Sequence, residues 1–153
     1  VQLPNCVEFI YTYYALSLIG AVMLPIHMPY RKKELLDVIE RYDCQYLIGP
    51  NRDRDFDYLK MYSDIQTAKN GALKIISAGD TDTNGFQSFN ALLTGAAKNF
   101  DSAKEQWLGE ANDINSIFLT SGTTGGKIKG VMWTINMFTH NAKDANENYL
   151  MFH

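Results

Sequence analysis

The sequence predicts an α/β fold with a mainly parallel sheet layered with helices. Three observations carry that prediction. Some segments place apolar residues on one helical stripe, short apolar runs of strand length lie between them, and glycine or proline stands where the pattern changes.

The elements follow in order. Asn5 is a good helix N-cap, and Glu8 stands where a capping box wants its carboxylate. Val7, Ile10, Tyr11, Tyr14 and Leu18 then keep a helical stripe that ends at Gly20. For Tyr11 and Tyr14 this makes core packing the expected role, ahead of a substrate box. "AVMLPI" follows as a short apolar strand. A second helix puts Leu35, Val38, Ile39 and Tyr42 on one face, and the run Arg31-Lys32-Lys33 starts it in solvent. "CQYLIG" reads as a strand stopped by Gly49-Pro50, and the charged stretch from Asn51 to Gly71 as helical. "ALKIIS" is a further strand, "GDTDTNG" a loop, and "FQSFNALLTGAA" a short helix. "SIFLTS" and "GVMWT" are strands on either side of a glycine-rich loop, and a helix runs from Asn136 to Phe152.

Composition narrows the function. The chain has 153 residues, a length that can bury a core, and its 46% hydrophobic and 20% charged content is that of ordinary globular material. A net charge of -3 supplies no basic field for nucleic acid, so no nucleic-acid partner is expected. Cys6 and Cys44 have neither metal-ligand spacing nor a disulfide framework, and reduced thiols in a cytoplasmic protein are the expectation. No signal peptide is visible. The uncharged stretch from Phe9 to Ile26 reaches membrane-span length, but Thr12, Ser17, Gly20 and Pro25 interrupt it. A buried helix followed by a buried strand is the expectation there, with no membrane span.

The stretch "IFLTSGTTGGKIKGV", Ile117 to Val131, carries the chemistry. Gly122, Gly125 and Gly126 allow positive φ and let backbone N–H groups approach an anion closely. Thr120, Ser121, Thr123 and Thr124 add hydroxyl donors, and Lys127 and Lys129 add positive charge. Phosphate binding is one reading, and a plain hairpin connection is the other. A Walker A loop fails on spacing, because its first glycine would fall on Ser121 and its Ser/Thr on Ile128. The dinucleotide and protein-kinase glycine loops fail because Gly122 is followed by Thr-Thr-Gly. In parallel sheets ligands collect beyond the carboxyl ends of strands, and this loop follows such an end.

"LTSGTTG" followed by "KGV" resembles the signature loop of the adenylate-forming (AMP-binding) superfamily. That superfamily comprises acyl- and aryl-CoA ligases, aryl-acid–AMP ligases and adenylation domains. "VQLPNCVEFIYTYYALSLIGAVMLPI" and "PYRKKELLDVIERYDCQYLI" resemble its upstream helix–strand segments, in the same order. The resemblance implies ATP and Mg2+ as cofactors, a small carboxylic acid as substrate, and acyl-adenylate formation. Transfer to the thiol of coenzyme A or a carrier protein would follow. It further implies that Thr120, Ser121, Gly122, Thr123, Thr124 and Gly125 hold the β- and γ-phosphates with the help of a lysine. Aligned from Gly130-Val131, that lysine is Lys129, with one extra loop residue and no proline; Lys127 is the other candidate.

Members of the family are several times longer. The chain is therefore read as an internal fragment, 1–153, of an N-terminal AMP-binding domain, unable by itself to complete adenylation. Two other readings stand beside it: a non-catalytic nucleotide- or anion-binding module, and a structural α/β domain whose glycine loop is a turn. His27 either lines a pocket or sits at the surface. His140 and His153 have no metal spacing. Asp80 and Asp82 belong to a loop that lacks the EF-hand pattern.

Overall fold

A computed structural model describes residues 1–79, 85–96, 110–120 and 128–148. The chain divides into two units, Val1–Ile10 with Ile26–Glu105, and Tyr11–Pro25 with Gln106–His153. The predicted α/β class with a parallel sheet and flanking helices is what the chain adopts.

The first unit is built on a parallel sheet of β1 (Tyr46–Pro50), β4 (Lys74–Ala78) and β5 (Gln87–Ser88), in the order β1-β4-β5. β1 and β4 run in register from Tyr46 opposite Lys74 to Pro50 opposite Ala78. Gly49 and Pro50 were expected to stop the strand, yet it runs through both. β1 lies at the end of the strand order, where a residue lacking an N–H is tolerated. On one face Ile48 and Ile76 pack with Leu3 and Phe89, flanked by Val1, Cys6, Phe9 and Ala78. The alternate residues Leu47 and Ile75 are also buried. A sheet covered on both faces needs such continuous apolar runs, which is why these strands were readable by run and not by alternation.

Helix α2 (Lys32–Arg41) buries Leu35, Val38 and Ile39, as its stripe predicts. The stretch from Asn51 is not wholly helical. A small antiparallel hairpin, β2 (Arg52–Asp53) and β3 (Phe56–Asp57), precedes α3 (Tyr58–Ala68). Arg54 takes a positive φ of 52° at its tip, a conformation the charged sequence does not advertise. The Asp57 carboxylate accepts the Lys60 N–H and starts α3; Asn70 and Gly71, both at positive φ, end it. Helix α4 (Phe89–Ala96) follows β5 directly.

The second unit is a two-stranded antiparallel ribbon, β6 (Ile114–Thr120) and β7 (Lys129–Thr134), followed by α5 (Ile135–Asn148). "AVMLPI" does not form a strand. Met23 alone bridges Ser116 in parallel, donating its N–H to the Asn115 carbonyl and accepting that of Ile117, both at 2.9 Å. The Asn115 amide donates to Ser17 Oγ, which donates to the Tyr13 carbonyl. These bonds tie helix α1 (Val7–Leu18) to β6 within this unit.

The stripe expected to bury α1 is exposed instead: Tyr11 is 49% and Tyr14 62% accessible, with Val7, Ile10 and Leu18 similarly open. Thr12 is the residue of α1 that is buried. The helix is apolar nearly all round, so the sequence stripe did not select a face. Among the described residues no helix is long and apolar enough to cross a membrane.

Candidate functional site: the mouth of the glycine loop

Strand β6 emerges apolar from Asn115 and Ser116, both buried, and ends at Thr120. Strand β7 begins at Lys129 and returns antiparallel, with register pairs Phe118–Val131, Leu119–Gly130 and Thr120–Lys129. Eight residues, 121–128, connect them. A connection that short can return a strand antiparallel but cannot make a parallel crossover. The loop therefore hangs from the ribbon and not from the parallel sheet, which corrects the expected placement beyond a parallel sheet's carboxyl end.

Directly opposed residues of an antiparallel pair project from the same face. Thr120 and Lys129 thus stand side by side at the mouth of the loop, both exposed. The Thr120 hydroxyl also lies 3.4 Å from the Lys129 carbonyl, a long contact that a better acceptor can replace. The pair sets one hydroxyl and one ammonium group at the base of the glycine-rich segment. Ser121, Gly122, Thr123, Thr124, Gly125, Gly126 and Lys127 lie outside the described residues. So does the 80–84 loop that carries Asp80 and Asp82.

An aromatic cluster braces the ribbon behind that mouth. The Phe118 ring meets Trp133 edge-on at 5.9 Å and Phe138 at 5.8 Å, and Trp133 lies 4.9 Å from Phe138. Tyr13 of α1 closes on Phe138 at 6.0 Å. Phe118 is two residues before Thr120 on the same face, so these rings fix the strand end that presents the hydroxyl. The Thr134 hydroxyl accepts the Met137 N–H, caps α5 and carries Phe138 into the cluster.

Two arrangements in the first unit escaped the sequence reading. Gln2 is wholly buried, and its amide donates to the carbonyls of His27 and Tyr30 at 3.1 and 3.0 Å. Its oxygen accepts the Tyr62 hydroxyl at 3.1 Å, and burial pushes that hydroxyl's pKa far up. Gln2 therefore shapes the segment His27–Tyr30, leaving His27 exposed with its ring 5.8 Å from Tyr30. A polar residue between Val1 and Leu3 was the only signal for it.

Arg31 was read as the start of a solvated basic run, but its guanidinium turns inward. It donates to the Met28 carbonyl at 2.7 Å and stacks 3.9 Å from the centre of Phe56. Beside it is an open depression of about 440 Å³ lined by Arg31, Lys32, Phe56, Asp57, Lys60 and Asp64, among others. Its mixed charges make it no anion cradle.

The model of the family described as AMP-binding enzyme matches residues 1–152. No curated protein sequence matches the chain significantly. Among solved structures the chain is similar to a red-emitting luciferase from Phrixothrix hirtus, with a TM-score of 0.76 and 16% identity over 95% of this chain and 27% of that one. It is also similar to ATP-bound MatB from Rhodopseudomonas palustris, with a TM-score of 0.70 and 24% identity over 97% of this chain and 27% of that one. An acyl-CoA synthetase from Brucella canis gives a TM-score of 0.67 and 15% identity over 94% of this chain and 24% of that one. The chain thus spans about a quarter of the length of the enzymes whose fold it shares. A signature loop slung between β6 and β7, a fold shared with these enzymes and a family match over residues 1–152 agree: the chain belongs to the AMP-binding, adenylate-forming enzyme family.

Proposed function

We propose that this chain is the phosphate-gripping part of an ATP-dependent ligase that activates a carboxylic acid as its acyl-adenylate. It is read as an internal piece of a longer N-terminal domain. The observation that carries the reading is the opposition of Thr120 and Lys129 across the mouth of the glycine-rich loop. ATP with Mg2+ supplies the activated phosphate: a carboxylate oxygen bonds to the α-phosphorus, and the bond to the leaving pyrophosphate breaks. Negative charge grows on the β- and γ-phosphate oxygens as they leave. The chain's own part is to meet that charge. Thr120 offers a hydroxyl donor, Lys129 an ammonium, and Ser121 to Gly125 further hydroxyls and backbone N–H groups.

Lys129 is taken as the lysine that assists, supported by its place opposite Thr120, while Lys127 lies outside the described residues and stays the other candidate. Each such charged contact contributes about 1.5–3 kcal/mol. Mg2+ would enter with the ATP phosphates and neutralise part of the charge that Thr120 and Lys129 meet. Coenzyme A or a carrier-protein thiol as the final acceptor is part of the same proposal, supported by family membership and by the fold shared with an acyl-CoA synthetase. A cytoplasmic setting is proposed with it, on the free cysteines Cys6 and Cys44.

Titration of the chain with Mg2+-ATP by calorimetry tests the reading. Lys129→Ala is expected to weaken binding by about tenfold or more, the equivalent of one charged contact. Unchanged affinity in that variant, with Lys127→Ala weakened instead, would move the role to Lys127. No nucleotide binding by the unsubstituted chain would leave the loop as a connection only.

A further inference from the structure

Helix α3 is joined to β4 by five residues, Lys69 to Leu73, and within them Asn70 is followed by Gly71. An asparagine before glycine carries a chemistry of its own. With no side chain on the next residue, the backbone nitrogen can close on the asparagine carboxamide at Cγ. Asn70 is exposed, and a Cβ built on Gly71 would meet nothing within 4 Å, so no described atom crowds that side of the pair. What restrains it is the turn. Asn70 and Gly71 both take positive φ, 51° and 75°, and the Gly71 N–H donates to the Gln66 carbonyl at 2.9 Å. The Asn70 N–H donates to the Thr67 carbonyl and that of Ala72 to the Lys69 carbonyl, both at 3.0 Å. The Gln66 side chain closes the turn, donating from Nε2 to the Leu73 carbonyl at 3.1 Å. While these bonds hold, the nitrogen that would attack is engaged as a donor. Helix ends fray, and bonds of this kind are among the first to open.

We propose that Asn70–Gly71 is a site of spontaneous covalent modification, with water as the co-reactant, exposed to reaction when the turn from Gln66 to Leu73 loosens. Released from the Gln66 carbonyl, the Gly71 nitrogen gives its proton to solvent base and bonds to Asn70 Cγ. The Cγ–Nδ2 bond breaks, the side-chain nitrogen takes up a proton and leaves as ammonia, and a succinimide ring is closed. Water then opens the ring at either carbonyl. One opening leaves aspartate. The other leaves isoaspartate, whose main chain runs through Cβ and Cγ and is one methylene longer. Nothing is oxidised or reduced. The change falls where the first unit has little slack. β4 is the middle strand of the order β1-β4-β5, and Leu73, just before it, is buried. A methylene added between α3 and β4 draws the Gly71 N–H off the Gln66 carbonyl. The new carboxylate also stands at a helix C-terminus, where negative charge is unfavourable. The first unit therefore loses stability as isoaspartate accumulates.

Peptide mapping tests the proposal. Trypsin cuts after Lys69 and Lys74, which separates Asn70 to Lys74 from the Asn84–Gly85 pair further on. The chain is incubated in mildly alkaline buffer, folded and in guanidinium chloride, and the peptide is resolved into its asparaginyl, aspartyl and isoaspartyl forms. The folded chain is expected to convert to both products, about tenfold more slowly than the unfolded one. Gln66→Ala removes the brace on Leu73 and should quicken conversion of the folded chain about threefold. Where that variant does not fold, amide exchange at Gly71 in the unsubstituted chain reads the restraint instead, with protection of about tenfold expected. An Asn70 that stays intact in the folded chain while the unfolded chain converts would overturn the proposal. Equal rates in the folded and unfolded chains would overturn it too, as would a folded Gln66→Ala chain no faster than its parent. The isoaspartyl chain, once separated, should unfold at lower denaturant than Asn70→Asp, which has the charge without the methylene; equal midpoints would refute the effect assigned to the longer backbone.

Discussion

At Gly49 the chain has no room for a side chain. A Cβ there would collide with the hydroxyl and ring of Tyr62, which lies over the strand to reach Gln2. Gly49→Ala therefore forces the ring away from its buried partner and is expected to destabilise the fold by about 1–3 kcal/mol. Tyr62→Phe keeps the ring but leaves the buried Gln2 oxygen unpaired, at a cost of about 1–3 kcal/mol. Urea unfolding measures both. A Gly49→Ala midpoint equal to that of the parent would show that Tyr62 does not sit over the strand. Neither Gln2 nor Gly49 was legible as special from sequence, because the side chains that set their roles, Tyr62 above all, belong to other elements of the fold. Thr120 and Lys129 were legible, since a dense local run of hydroxyls, glycines and lysines needs no distant partner to be noticed. Their face-to-face placement was not, as it depends on the register of β6 and β7.

Among the elements, α2 was the most readable. Its apolar stripe matches the buried set Leu35, Val38 and Ile39, and its first turn has a titratable brace. The Glu34 carboxylate accepts the Arg31 backbone N–H at 3.0 Å. Hydrogen bonds from its own backbone N–H and from that of Arg31 hold its pKa below the ordinary 4.5. A depressed folded value means the carboxylate stabilises the helix start fully above pH 4.5 and progressively less as pH falls through that lower value. Glu34→Gln should therefore lower the melting temperature at pH 7 but not at about pH 2, where the parent carboxyl is protonated too. A melting difference that persists undiminished in acid would place the effect elsewhere. Elements were misread where their partners lie far off in sequence. α1 looked like a buried stripe, but it is apolar nearly all round, so its spacing singled out no face to bury. "AVMLPI" looked like a strand because its apolar run is real, although only Met23 finds a ladder partner.

For the whole molecule, the fold class was readable because alternating helices and apolar runs leave few layer arrangements. The division into two units was not, since it joins Tyr11–Pro25 to a segment some ninety residues later. Activity is a property at this scale as well. Holding phosphates does not by itself align a carboxylate with the α-phosphorus. The isolated 153-residue chain is expected to show no carboxylate-dependent ATP–pyrophosphate exchange, and exchange above the protein-free background would refute that. The Asn115–Ser17 bond spans 98 positions, and the Met23 bridge to Ser116 is nearly as long-ranged. Such contacts form only after a large loop has closed, which makes them slow. During synthesis Ser17 and Met23 leave the ribosome long before β6 exists, so the apolar residues around them must wait unpaired. That interval is when this protein is most open to aggregation and to chaperone capture.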